Sequence, residues 1–190
     1  MTATVPIATM LPIDTMTLAE WDEFTWLHDQ RVELVHGVRT VSPAESLLNK
    51  RVTVRLCTLL DATAPEPWVS APGIDLTLDP DSPLVRCPDV TLIRNTVDAD
   101  KGRHDTADVA LVVEVVSPYG VERDWITKRG EYARAGIPAY LVIDPQAEVL
   151  ALYTDPTPEG YNARADDGQV ATWLLDGTTI TIRLADVLRV

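Results

Sequence analysis

Val109-Ala110-Leu111-Val112-Val113-Glu114-Val115-Val116 is the stretch on which the fold turns. A run this rich in Val and Leu describes a strand covered on both faces, as in the interior of an α/β sheet. Glu114 conflicts with these surroundings, because an ionised carboxylate in such a place is strongly disfavoured unless something pairs with it. A second acid, Asp89, follows Pro88 and opens another strand-like run, Val90-Thr91-Leu92-Ile93. Two strands therefore present carboxylates toward one point, and a hard divalent cation is the natural partner for such a pair.

Outward from this strand, the elements alternate between helical and extended periods. Toward the N-terminus, Thr17-Leu18-Ala19-Glu20 has the form of a capping box and predicts a helix to about His28. Arg31 to Val41 alternates around Gly37 and predicts a hairpin, closed by Ser42-Pro43. From Glu45 to Ala62, Leu48, Val52, Leu56, Leu59 and Leu60 recur at helical spacing until Pro65 and Pro67 interrupt, which predicts a long central helix. Trp68 to Leu78 reads as one strand, Asp79-Pro80-Asp81-Ser82-Pro83 as a turn, and Val85 to Ile93 as the antiparallel return. Asn95 to Asp108 is a polar loop. After Ser117-Pro118 a second helix spans Asp124 to Ala135, closed by Gly136, and leads into a strand at Ala139 to Ile143. The remainder reads as a β meander. The fold expected is α/β of the mixed α+β kind, a central mixed sheet flanked by helices. Residues 1–16 are expected to form an N-terminal extension and residues 17–190 one domain.

Composition narrows the function. The chain has 190 residues, 46% of them hydrophobic, which suffices for a sizeable core. Its formal charge of −13 argues against a nonspecific polyanion binder, so any nucleic-acid contact must be built on a local patch. Lys50, Arg51 and Arg55 make the one compact basic stretch and read as a solvated helix face. Cys57 and Cys87 lie in no metal-binding spacing and read as buried thiols. Met1 to Pro12 lacks the positive start of a secretory signal, and no run approaches the ~20 apolar residues of a membrane span, so the expectation is a soluble, cytoplasmic protein without a membrane partner.

A hydrolytic metal site is the chemistry these residues permit. Asp89 and Glu114 would supply oxygen ligands to Mg²⁺, which accepts one or two carboxylates together with waters and a substrate phosphate. Lys128, in the first turns of the following helix, could hold the scissile phosphate, and Glu33, in Arg31-Val32-Glu33-Leu34-Val35, could complete the shell. His28, His36 and His104 share no zinc-binding spacing. Each acid also has a structural reading: Glu114 could pair with a buried Lys or Arg, Asp89 could cap a turn, Glu33 could pair with Arg31 or Arg39, and Lys128 could be solvated. Two acids alone would also permit a glycosidase, though Lys128 would then have no role.

Taken in order, Arg-Val-Glu-Leu-Val-His-Gly (31–37), Ser-Pro (42–43), Pro-Asp (88–89), Val-Val-Glu-Val-Val-Ser-Pro (112–118), Lys-x-x-x-Tyr-x-x-x-Gly-Ile-Pro (128–138) and Val-Ile-Asp-Pro (142–145) resemble the Uma-type family of restriction endonucleases, within the PD-(D/E)XK nuclease superfamily. The resemblance extends over roughly Leu18 to Leu188. It implies a restriction-endonuclease-like core with an added N-terminal hairpin and C-terminal meander, a Mg²⁺-dependent (or Mn²⁺-dependent) nuclease site, DNA as substrate, and a homodimer. On that resemblance Asp89 is the motif aspartate, Glu114 the motif acid and Glu33 the early acid. The superfamily's lysine ordinarily stands two residues after the motif acid, where this chain has Val116; the Uma-type family, like this chain, places it on the next helix, at Lys128. Family members often carry a histidine at the start of the long helix, where this chain has Asn49, which cannot relay a proton near neutral pH. With the charge of −13, that substitution leaves a second expectation open: a catalytically degenerate nuclease fold kept as a binding module.

Overall fold

The computed structural model describes residues 15–23, 31–42 and 45–189. Almost all of the expected N-terminal extension, and the segment from Phe24 to His28 expected to continue the first helix, lie outside the described residues.

The first helix, α1 (Leu18–Asp22), opens with the anticipated capping box: Glu20 N–H donates to the Thr17 hydroxyl, and the Thr17 N–H to the Glu20 carboxylate. β1 (Arg31–Val35) and β2 (Val38–Ser42) form the hairpin, turned through His36 and Gly37, both with positive φ. Two successive left-handed residues match the right-handed twist of the flanking strands, and the glycine takes the second without a Cβ penalty. Next comes α2 (Leu47–Thr63), capped by the Ser46 hydroxyl. Its buried stripe is Asn49, Val52, Leu56 and Leu60, whereas Leu48, expected on that stripe, is exposed.

The expected hairpin of two long strands is observed as two shorter pairs in two different sheets. Pro72-Gly73 breaks its first arm into β3 (Trp68–Ala71) and β4 (Asp75–Asp79), and Cys87-Pro88-Asp89 breaks its return into β5 (Leu84–Arg86) and β6 (Val90–Arg94). The antiparallel relation survives in both halves, since β3 pairs with β6 and β4 with β5. The two breaks face one another, with Gly73 N–H donating to the Pro88 carbonyl. Proline cannot donate to a ladder, so the sheets part at these positions. Asp89 thereby sits where one sheet becomes the other.

The polar loop holds a further short strand, β7 (Arg103–Asp105), parallel to β4. β8 (Val109–Val115) is buried along its whole length. It leads into a π-helical turn (Arg123–Thr127) continuous with α3 (Lys128–Arg134), and Gly136 ends that helix at positive φ. β9 (Ala139–Asp144) then lies parallel to β8. The meander comprises β10 (Val149–Thr157), β11 (Gly160–Arg164), β12 (Val170–Leu175) and β13 (Thr178–Arg183), followed by α4 (Leu184–Leu188). β10 and β11 extend the central sheet, while β12 and β13 form a separate hairpin.

Two sheets organise the described chain, one ordered β2-β1-β5-β4-β7 and the central one β11-β10-β9-β8-β6-β3. The parallel β8–β9 step makes the central sheet mixed, as expected. On one face, Val90, Leu92, Leu111 and Val113 receive Val52, Leu56 and Leu60 of α2. On the other, Val112, Val142 and Tyr140 meet Tyr132 and Ile137 from the α3 side. Each fully buried aliphatic or aromatic side chain contributes about 1.5–3 kcal/mol, so β8, apolar toward both helices, anchors the core. Glu114 shares the parity of Val112 and so faces α3. None of the helices described is long and apolar enough to cross a membrane.

Candidate active site

Strand register brings the two acids together. Val90 pairs with Val113 and Thr91 with Val112 across the antiparallel β6–β8 ladder, so one further step sets Asp89 opposite Glu114 on the same face. Both are buried, and both line a pocket of about 270 Å³ whose wall also includes Arg31, Asn49, Asp124 and Lys128.

Asp89 has both oxygens engaged. Oδ2 accepts the backbone N–H of Val115 at 2.5 Å, which ties the acid to the end of β8, and Oδ1 accepts Arg31 Nη1. The same Nη1 donates to Glu45 Oε1 at 2.7 Å. Glu114 is held through one oxygen, Oε1, which accepts Lys128 Nζ and the Tyr132 hydroxyl, each at 2.7 Å. No donor among the described residues reaches its Oε2.

Lys128 bridges to a third acid. Its Nζ lies 3.1 Å from Glu33 Oε1 as well as on Glu114. Glu33 stands behind the lysine, not on the pocket wall, and its remaining contacts are Arg86 Nη1 on Oε2 at 2.9 Å and the Cys87 N–H on Oε1 at 3.2 Å. The Leu34–Val85 pair of the β1–β5 ladder sets Glu33 across from Arg86, so this contact too follows from register. Arg86 in turn grips Glu131 of α3 with two parallel bonds of 2.8 Å. A chain of charge thus runs from β5 and β1, through Lys128, to β8.

Burial and partners set the protonation of these groups. Burial pushes Glu33 upward, but Lys128 and Arg86 outweigh it and hold the group at about 2. Burial dominates at Glu114, whose pKa is raised despite Lys128, and Asp89 adds to the rise. The two carboxylates share one lysine and diverge because Glu33 has a second cation in contact where Glu114 has a second anion nearby. Burial likewise raises Asp89 above its ordinary range against the pull of Arg31. Lys128 stays charged: its two carboxylates overcome its desolvation and raise its pKa.

Sequence reading did not place several participants at the site. Asp124, in the π-helical turn, lines the pocket and is pushed up to about 6, first by burial and then by Glu114. Its spacing of four from Lys128 was the available signal, since i and i+4 share a helix face. Tyr132, Arg31, Arg86, Glu45 and Glu131 are others; their partners lie on other elements and could not be read from local spacing. Asn49 donates Nδ2 to the Val115 carbonyl at 3.0 Å and accepts the Ser46 hydroxyl at 2.9 Å. Its place is therefore defined by β8 on one side and the helix cap on the other. Trp125 is half-buried against the α3 side of the core and directs Nε1 toward Asp144, and Asp144 itself caps the following turn through the N–H groups of Gln146 and Ala147.

The donor set suits a divalent ion in chemistry and in charge. Mg²⁺ needs one or two carboxylates and keeps its remaining positions for water, so Asp89 and Glu114 suffice although no three such side chains converge on one point among the described residues. Around the pocket and the lysine bridge, six carboxylates (Glu33, Glu45, Asp89, Glu114, Asp124, Glu131) face four cations (Arg31, Arg86, Arg123, Lys128). With every group ionised this set carries a formal −2, a sign that favours a cation.

Comparison with known proteins gives a family and a fold. Residues 21–184 match the Uma2 family, described as "Putative restriction endonuclease". Among solved structures, a "putative nuclease belonging to DUF820" from Anabaena variabilis superposes with a TM-score of 0.67 at 12% identity, covering 91% of this chain and 97% of that one. At that identity the likeness is one of fold. No curated protein matches the chain.

Proposed function

The chain belongs to the Uma2 family, and on that premise we propose that its pocket is the active site of a Mg²⁺-dependent endonuclease hydrolysing DNA phosphodiester bonds. The observation that carries the reading is the pairing of Asp89 and Glu114, two buried acids set side by side by register at the wall of a pocket. Asp89 and Glu114 would hold the ion, which when bound neutralises charge on a phosphoryl oxygen and makes water a better nucleophile. Lys128, already charged and fixed between Glu33 and Glu114, is positioned to offset the negative charge that develops on the phosphate. Glu33 enters as the residue that holds Lys128, because serving as a ligand would require it to leave Arg86, Lys128 and the Cys87 N–H. Asp124, at about 6, can accept a proton from the attacking water as the new P–O bond forms, while the ester P–O bond breaks and its departing oxygen takes a proton from solvent water. A homodimer belongs to the same proposal and is tested by molecular mass in solution.

The experiment is cleavage of a DNA duplex in Mg²⁺ and in Mn²⁺ by the wild type and by Asp89→Asn, Glu114→Gln and Lys128→Ala. Cleavage that depends on the ion and disappears in the three folded variants is expected. Equal cleavage by all four proteins refutes the assignment. The competing reading, a nuclease fold kept as a binding module, draws on the cations that already pair with Asp89 and Glu114. Calorimetric titration with Mn²⁺ separates the two, since a degenerate site yields no heat that depends on Asp89.

A further inference from the structure

We propose that Arg31 is a resident cation in the metal site, one that a divalent ion must displace from Asp89 and that retires onto Glu45 when displaced. The inference rests on the metal reading above and concerns which group competes for the site.

Three observations converge on this exchange. Asp89 has one oxygen fixed to the backbone of Val115, so Oδ1, the oxygen facing Arg31, is the one through which a ligand can be gained or lost. A guanidinium and a divalent ion on the same oxygen repel one another strongly in a buried setting, so occupancy by one weakens the other. Arg31 also uses its planar fork poorly. A single nitrogen, Nη1, serves both Asp89 and Glu45, whereas Nη2 is buried and meets no acceptor among the described residues. A guanidinium committed to a structural pair normally engages a carboxylate with two parallel bonds, as Arg86 does with Glu131. Finally, the second acceptor is already in place: Glu45, more open to solvent than Asp89, lies 2.7 Å from the same nitrogen. Retirement thus requires the loss of one contact and no search for another.

The exchange predicts effects of opposite sign from two neighbouring substitutions. By calorimetry with Mn²⁺, Arg31→Gln should bind the ion at least tenfold more tightly than the wild type. Glu45→Gln, which removes the retirement site, should bind it several-fold more weakly, and that weakening should shrink when Glu45→Gln is combined with Arg31→Gln. Glu45 is partly exposed, so its variant keeps the test alive should Arg31→Gln fold poorly. Thermal midpoints with and without Mn²⁺ provide a second readout, with a larger metal-dependent rise in Arg31→Gln. A wild type whose heat depends on Asp89 and whose affinity Arg31→Gln leaves unchanged or weakens overturns the exchange while sparing the metal site. Absence of Asp89-dependent heat in every protein overturns both.

Discussion

Replacing Lys128 by Met should unfold the protein more easily at neutral pH, by an amount the lysine's surroundings determine. The ammonium is 3.1 Å from Glu33 and 2.7 Å from Glu114, and all three side chains are nearly sealed from water. Methionine keeps most of the volume and removes the charge, leaving Glu114 without a cation in contact and Glu33 with Arg86 alone. Breaking a buried pair by removing one partner costs about 3–5 kcal/mol. The protonation of Glu33 gives a similar figure: a carboxyl held at about 2 instead of its ordinary 4.5, against the upward push of burial, reflects a net of about 3 kcal/mol that Lys128 and Arg86 contribute beyond the cost of burial. A carboxyl with a depressed native pKa contributes fully above its unfolded value and loses that contribution as pH falls through its native value. The share owed to Lys128 therefore operates above pH 4.5 and fades toward pH 2. Glu114 pushes the same way, because its raised pKa rises further without the lysine, and protonating it on acidification relieves the cost. Urea denaturation at pH 7 and pH 3 checks both size and sign, with an unchanged m-value as the control for two-state unfolding. A variant with the wild-type midpoint at pH 7, or a deficit that widens toward pH 3, refutes this account.

Tyr132→Phe should cost about 1–3 kcal/mol by urea denaturation, because the phenol donates to a buried charged acceptor, Glu114 Oε1, and nothing else in the ring contact changes. Asn49→Ala should cost a similar ~1–3 kcal/mol by leaving the Val115 carbonyl without its side-chain donor, and hydrogen exchange at the C-terminal end of β8 should accelerate. Asp124 has a native pKa of about 6 against 3.8 when unfolded, so the native state binds more protons between those values and stability falls as pH rises through the window. Melting temperatures measured from pH 4 to pH 7 should carry that slope in the wild type and lose it in Asp124→Asn.

What could be read from the sequence divides along physical lines. β8 and its buried acid were legible because an unbroken apolar run has one comfortable place in an α/β fold, and α2 because its periodic stripe and flanking prolines left no alternative. That Asp89 would meet Glu114 was also legible, from two strands each offering an acid. The division of the long hairpin between two sheets was not. Both arms read as continuous because alternation persists across Pro72-Gly73 and Cys87-Pro88, and only the pairing of those breaks through Gly73 N–H and the Pro88 carbonyl shows where the sheets part. On α2, period alone ranked Leu48 above Asn49, yet the site drew the polar residue inward to reach β8. The partners of the acids were hidden for the same reason. By sequence Glu33 reads as a partner for Arg31 or Arg39 on its own hairpin, whereas it faces Arg86 and Lys128, which topology delivers from elsewhere.

The path from Arg86 through Glu33 and Lys128 to Glu114 crosses from one sheet to the other. Along this seam each contact joins a specific donor to a specific acceptor, so it is directional in a way that apolar packing is not. Here the strands of the smaller sheet and the helix after β8 are aligned so that every charge along that path is paired, and any other alignment would leave a buried charge unpaired at a cost of several kcal/mol. The lysine that joins Glu33 to Glu114 thus ties the smaller sheet to the wall of the pocket, so what holds the two sheets together also holds the charge beside the candidate metal ligands.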